Sequence, residues 1–518
     1  MANTINAYDA DVRIPQFMGL KQYGDLMNGN PVYAEHAVNM NTKGGVLMPM
    51  AKPVQLPGIV TDPDDETVTY PIETLMKVNR RSNDEVIVAA AGNGIYVYQN
   101  EGWLKLDGFF ANNVWSWVDY EITVPGDDNP HDVILFSNTY DGMYMLDAVE
   151  NTIAAIPTPY RFGVVERHAE RIWGAGIEEF PDKLVYSTPY DPTDWCARDP
   201  SYPDDPEHWK KPGQPEDGAG EIDQPSWDGD SFVALRTFGD QLIAFKHHRV
   251  WRIVGTDPGV YEFKEQFGGG AYVPQTVAVD STRIYMLDRF GVMVYDGNTV
   301  EPFGKEYAAN VWRDMNQQAI ENARACLYHD KYYLAIPMKD TLDDDFYQQE
   351  NSAVVTYDLH DGTWLLRRDI RVESWLPCEN GLYYTTVENP YCIHEYIENA
   401  WEADRTTDEE QTWVSPWNDL GYPHKNKGPF QFYFTPEVRG KPADFTITID
   451  TDKKSRSKTV RVYPITGYEE RMHYEAKTIR IPFAGNGRRF RVTIKADGGA
   501  AWRICGGVVL RVDQETEG

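Results

Sequence analysis

Glu85-Val-Ile-Val-Ala-Ala-Ala-Gly-Asn-Gly-Ile-Tyr-Val-Tyr98, followed by Gly102-Trp-Leu-Lys-Leu106, reads as three short strands separated by tight turns. β-branched and aromatic side chains suit a pleated surface, and an Asn-Gly step between two such runs signals a hairpin. The phrase then recurs. Asp132–Phe136 leads into Gly142–Leu146 (GMYML), and Arg283–Leu287 leads into Gly291–Tyr295 (GVMVY). Each follows one pattern: glycine, apolar, aromatic or Met, apolar, then Tyr or Leu. Asp141-Gly142, Asp296-Gly297 and Asp361-Gly362 supply further turn steps. Similar strand groups lie at Phe232–Val254, Ala325–Leu366 and Gly381–Tyr396. The spacing is about 40–50 residues, the period of propeller blades. A four-stranded sheet cannot bury both faces alone, so such sheets must stack around an axis.

The expected fold is therefore all-β. A β-propeller of six or seven irregular blades is assigned to residues 57–400. Two successive sandwiches are the alternative for the same stretch. Residues 1–56 mix Pro, Gly and Asn with short apolar pieces and keep no helical or strand period. They read as an extended N-terminal arm whose Phe17, Leu20, Tyr23 and Met27 need burial, and a neighbouring subunit would provide it. Residues 401–518 open with a linker-like run and continue as six strands, enough for a C-terminal β-sandwich.

Composition narrows the function classes. The 518 residues include 67 aromatics, and the mean hydropathy is −0.54. No run approaches the roughly 18 apolar residues that cross a bilayer, so no membrane association is expected. The first fourteen residues contain Asn3, Asp9 and Asp11 without an apolar stretch, so no secretory leader is expected. Net charge is −31. That field repels nucleic acid and anionic membranes at long range. It does not forbid a channel through which DNA slides, where adhesion would be a defect. Residues 421–518 hold 18 Lys/Arg against 11 Asp/Glu, a surplus of +7, and the preceding 420 carry −38. The C-terminal part is electrostatically distinct.

No residue pattern points to catalysis. The five cysteines lack a CxxC step and read as reduced, packed thiols, as in a protein made in a cytosol. Asp62, Asp64, Asp65 and Glu66, and separately Asp343, Asp344 and Asp345, form acidic runs without EF-hand spacing. They read as solvated loops. His247-His248 has no nucleophile partner, and one of its rings is expected to face solvent. Gly268-Gly269-Gly270 lacks the Lys-Ser/Thr of a phosphate loop. Asp361-Gly362-Thr363-Trp364 misses the sialidase repeat spacing. No catalytic residue, cofactor or metal is assigned.

Two surfaces are candidates for contact. The long loop 191–230 carries Trp195, Tyr202 and Trp209 among Pro, Asp and Gly. Lys453, Lys454, Arg456 and Lys458 sit on an expected hairpin loop, with Arg488 and Arg489 near another. A solvated face is the plain reading of this basic group. The sharper one is docking on the acidic surface of a neighbouring copy.

Several stretches resemble propeller-containing structural proteins of tailed bacteriophages. The relevant kinds are tail nozzle or tail-tubular proteins and packaged-DNA stabilisation proteins of the neck. The resemblance rests on Pro15–Gln22 (PQFMGLKQ), Ala37–Met40 and Gly45–Pro49. It continues in Arg167–Gly176 (RHAERIWGAG), Val185–Ser187, Asp191–Trp195, Phe238–Phe245, Val250–Gly255 and Gly291–Gly297. It implies a non-enzymatic virion component assembled in the bacterial host cytoplasm. Such a component forms a ring, six-fold in these families, in the neck or tail. Its partners would be other copies of itself and portal, adaptor or tail proteins, with double-stranded DNA passing through. The C-terminal sandwich has no clear counterpart in smaller members. A glycan-binding or glycan-cleaving propeller with an accessory sandwich is the alternative, and a scaffold for protein partners is a third reading.

Overall fold

The computed structural model describes residues 9–22, 28–79, 85–124, 129–195, 218–223, 229–255, 261–266, 268–339, 347–464, 477–497 and 499–514. Seven four-stranded antiparallel sheets succeed one another along the chain. Blade 1 is Ile72–Asn79, Glu85–Ala91, Gly94–Gln99 and Gly102–Lys105. Blades 2 to 6 follow the same simple order, first strand to fourth, and end at Arg367. The first strands of successive blades touch all the way round, and that of blade 7, Val372–Pro377, touches Ile72–Asn79 of blade 1. The chain is a seven-bladed β-propeller, and the successive-sandwich alternative falls for residues 57–400.

The blade repeat follows from burial on both sides. In Glu85–Ala91, Val86, Val88 and Ala90 pack toward blade 2, while Ile87, Ala89 and Ala91 pack toward blade 7. Alternating side chains thus feed two different cores, and a middle strand reads as a continuous apolar run. Seven hydrophobic clusters fill the seven gaps between blades. Several tight turns use residues the sequence did not flag. Asn100-Glu101, Ala169-Glu170 and His329-Asp330 all have positive φ at both positions. That is the backbone of a two-residue turn whose twist matches the strands it joins.

Ring closure uses the N-terminal segment. The fourth strand of blade 7 is Val54–Gln55, which pairs with His394 and Glu395. Leu56 N–H donates to Ile393 O (2.9 Å) and Val60 N–H to Tyr391 O (2.9 Å), extending that seam. A chain segment from before blade 1 therefore zips the last blade shut.

The C-terminal sandwich also takes strands from the N-terminus. One sheet orders Asp9–Ile14, Ala501–Gln514, Lys427–Arg439 and Ile479–Phe483. The other orders His36–Val38, Gln411–Val414, Phe490–Ala496, Ala443–Thr451 and Ser455–Val462. Between them lie Phe432, Phe434, Phe445, Ile447, Ile494 and Trp502. The expectation that the extended arm over 1–56 finds its burial against a neighbouring subunit is thus corrected. Ile14, Phe17, Leu20, Met40 and Leu47 would cost free energy in water, and they are buried within the same chain. The arm contributes a strand to each sandwich sheet and one to blade 7.

Sandwich and propeller share one hydrophobic cluster, which runs from Trp413 and Phe17 to Trp364 and the strands of blades 5 and 6. Gly19 sits directly on the backbone of Trp364, where a Cβ would collide with the carbonyl oxygen. Leu20 N–H donates to that oxygen at 2.7 Å. Arg367, 1 % exposed, ties the parts together. It donates to Asp369 (2.6 Å), to Ala51 O (2.6 Å) and to Ile397 O (3.1 Å).

Candidate functional site: a basic sheet edge and a loop face

The residues expected to bridge copies separate into two kinds. Phe17 and Leu20 are each 1 % exposed, and the Phe17 ring stands edge-on to Trp413 at 5.2 Å. Trp195 is 2 % exposed, packed on Phe162 at 4.9 Å, with its indole N–H donated to Pro192 O. These three are core residues of their own chain, so their assignment to subunit contacts is corrected. The physical reason is that one chain already buries each of these side chains almost completely. Tyr23, Met27, Tyr202 and Trp209 lie outside the described residues.

The basic group behaves differently. Ala443–Thr451 and Ser455–Val462 form a hairpin, and the second strand is the outer edge of its sheet. That strand is exposed at Ser455, Arg456, Ser457, Lys458 and Thr459. Cations along such an edge discourage indiscriminate strand pairing. Lys453 at the turn donates to Asn426 Oδ1 at 3.0 Å. The Lys458 ammonium lies over Phe483 at 5.6 Å and Arg489 over Trp417 at 4.9 Å. The backbone N–H of Arg488 donates to Asp452 at 2.7 Å, which brings the second loop beside the hairpin turn. The two groups of basic residues are therefore one surface. It borders a groove of about 220 Å³ lined by Ile449, Phe430, Phe483 and Arg456.

Neighbouring cations are already neutralised. Arg461 makes two hydrogen bonds to Asp444 (2.8 and 2.5 Å), which hold that carboxyl below its usual range. Arg491 is paired with Asp450 at 3.1 Å. Lys454, Arg456, Lys458, Arg488 and Arg489 form no ion pair among the described residues.

The propeller presents a second surface. Strands in a blade alternate in direction, so the turns between second and third strands share a face with the blade-to-blade connections. Ile59, Val68, Phe109, Val114, Tyr140, Phe180, Phe290 and Tyr347 all lie in these segments. They are eight of the thirteen large apolar side chains exposed among the described residues, so this face is the apolar one.

The fold places the chain among solved propellers. It is similar to the WD40 domain of Neurospora crassa Pan2 at 12 % identity, with a TM-score of 0.37, over 67 % of this chain and 96 % of that one. It is similar to BamB from Moraxella catarrhalis at 9 % identity, with a TM-score of 0.32, over 75 % and 98 % respectively. No protein-family model matches the chain, and no curated protein matches it.

Other residues singled out by the sequence have structural surroundings. Asp62 accepts from Tyr70 Oη (2.6 Å) and from Asp64 N–H (2.8 Å), and Asp65 accepts from Thr67, so this acidic run folds on itself. Asp343, Asp344 and Asp345 lie outside the described residues. Among the described residues no three His, Cys, Asp or Glu side chains cluster as metal ligands. His247 bonds Asp230 at 2.8 Å and His248 is exposed. Cys326, Cys378, Cys392 and Cys505 are free thiols, and burial pushes Cys378 up to about 12 and Cys392 to about 11. Such thiols stay protonated at neutral pH. No described helix is long and apolar enough to cross a membrane.

Proposed function

We propose that this chain is a structural virion protein of a tailed bacteriophage. In this reading it forms a ring in the neck or tail that extends or seals the DNA channel. The observation carrying the reading is the basic edge of the sandwich, without ion pairs among the described residues, on a chain whose remaining 420 residues carry −38. The basic edge of one copy meets the acidic propeller of the next, a head-to-tail contact that closes a ring when its rotation closes. Opposite potentials steer such an encounter and fix its register. The shared core of sandwich and propeller favours this role, because a ring keeps its radius only if each copy is stiff. The acidic exterior lets DNA pass without adhering. Six copies are what the resemblance implies, and the loop face would form one end of the ring.

The test is assembly. Light scattering after size exclusion and negative-stain microscopy at low salt should show a ring with a central hole. Reversing four charges (Lys454→Glu, Arg456→Glu, Lys458→Glu, Arg488→Glu) should leave a folded monomer. A wild-type monomer at every salt and protein concentration, or rings formed equally by the reversed variant, would overturn the reading.

A further inference from the structure

Above blade 5, on the apolar loop face, lies a cleft of about 640 Å³. Three segments build it. Tyr272 comes from the connection into blade 5, and Arg289-Phe290 is the turn between its second and third strands. The connection to blade 6 supplies Lys305, Trp312 and Arg313. This volume suits a ligand of two or three sugar rings.

The cleft is basic on an acidic protein. Arg289, Lys305 and Arg313 line it, and the carboxylate paired with them is Asp314, bonded to Arg313 at 3.1 Å. Arg289 is held in place. Its guanidinium lies over the Tyr272 ring at 4.6 Å and donates to the Tyr272 hydroxyl at 2.8 Å. Gln317 Nε2–H donates to the Arg289 carbonyl at 2.8 Å and anchors the turn. A fork so positioned has lost much of its freedom before any anion arrives.

The cleft is also aromatic. Arg289-Phe290 occupies a two-residue turn, where Gly, Asn and Asp are the usual occupants. Phe290 is 74 % exposed there. Trp312 is pinned edge-on against Trp364 at 5.8 Å and lies close on Gly291, where a Cβ would come within 3.1 Å of the indole. Trp312 is 6 % exposed and forms a buried aromatic floor under the turn.

We infer that this cleft binds an acidic saccharide. A pyranose carboxylate offers each feature its complement. The carboxylate meets the arginine fork, and the C–H face of the ring stacks on Phe290. An extended polyanion such as duplex DNA is disfavoured by the surrounding negative field. The inference does not depend on ring assembly and is tested on the full-length chain in solution.

The experiment is isothermal titration calorimetry with tri-galacturonic acid and 3′-sialyllactose, with maltotriose as the neutral probe and ADP as the phosphate probe. At least one acidic saccharide should bind saturably. Its affinity should fall about tenfold or more in Arg289→Gln and in Phe290→Ala, a change that calorimetry resolves readily. Both variants should melt like wild type, since both side chains are exposed. If neither acidic saccharide binds at about 10 mM, an affinity too weak to count, the inference fails. It fails equally if maltotriose binds as well as they do, if ADP binds in their place, or if the variants leave affinity unchanged.

Discussion

The first 56 residues and the basic edge of the sandwich both look, in sequence, like material for joining copies. Folding treats them in opposite ways. Phe17 and Leu20 are swallowed by their own chain, whereas Lys454, Arg456, Lys458 and Arg488 remain outside with no ion pair among the described residues. The difference is physical. An apolar ring gains wherever water is excluded, and the nearest such place is the chain's own core. A cation gains only from a matching anion at close range, and the sandwich does not supply one for every cation. Apolar demand in a sequence is therefore a poor guide to subunit contacts.

The comparison can be broken most directly by removing residues 1–56. Both sandwich sheets and blade 7 each lose a strand, so the truncated chain should fail to unfold as one cooperative transition by calorimetry. A single sharp transition near the wild-type temperature would show that the segment is an appendage after all. Next in size is Arg367→Met, which strands the buried Asp369 carboxylate and frees the Ala51 carbonyl. Its expected cost is about 3–5 kcal/mol by denaturant titration. Phe17→Ala empties the space against Trp413 and should cost about 3–5 kcal/mol. If this variant instead kept its stability and lost assembly, the ring would be acting between copies.

On the exposed side, the four-site charge reversal should move the melting temperature little, because surface charges contribute about 0–1 kcal/mol each. Its effect belongs in assembly, and added salt should mimic it in the wild type. The smallest effect is on pH dependence. Burial holds His168 and His394 below the usual histidine value. Each takes up its proton more readily once unfolded, so the unfolded chain binds more protons as pH drops. Stability should be complete above about pH 6.5 and decline below it, as the pH passes toward the folded-state values. Replacing His168 with Gln should flatten that decline in a melting series between about pH 7 and 5, the range in which histidine titrates.

Much of the fold was legible because blades repeat. The GIYVY, GMYML and GVMVY phrases mark third strands of blades 1, 2 and 5, and the turn before each is local chemistry. Six of the seven sandwich strands after residue 401 were readable from local alternation, and the short Gln411–Val414 was not. Blade number was not, because the seventh blade borrows Val54–Gln55, a two-residue piece too short to announce itself. Several turns escaped because Ala169-Glu170 and His329-Asp330 adopt positive φ under tertiary constraint rather than by preference. The loop face and its cleft over blade 5 were also invisible. Tyr272, Arg289 and Trp312 are far apart in sequence and meet only when three segments converge.

Local pattern, then, determined strands, turns, the all-β class and the split of charge, since each depends on residues a few positions apart. Tertiary structure alone decided where the ends of the chain go, which blade they close and which side chains share a cleft. Those outcomes depend on burying apolar surface over the whole molecule, and no window of sequence contains that competition.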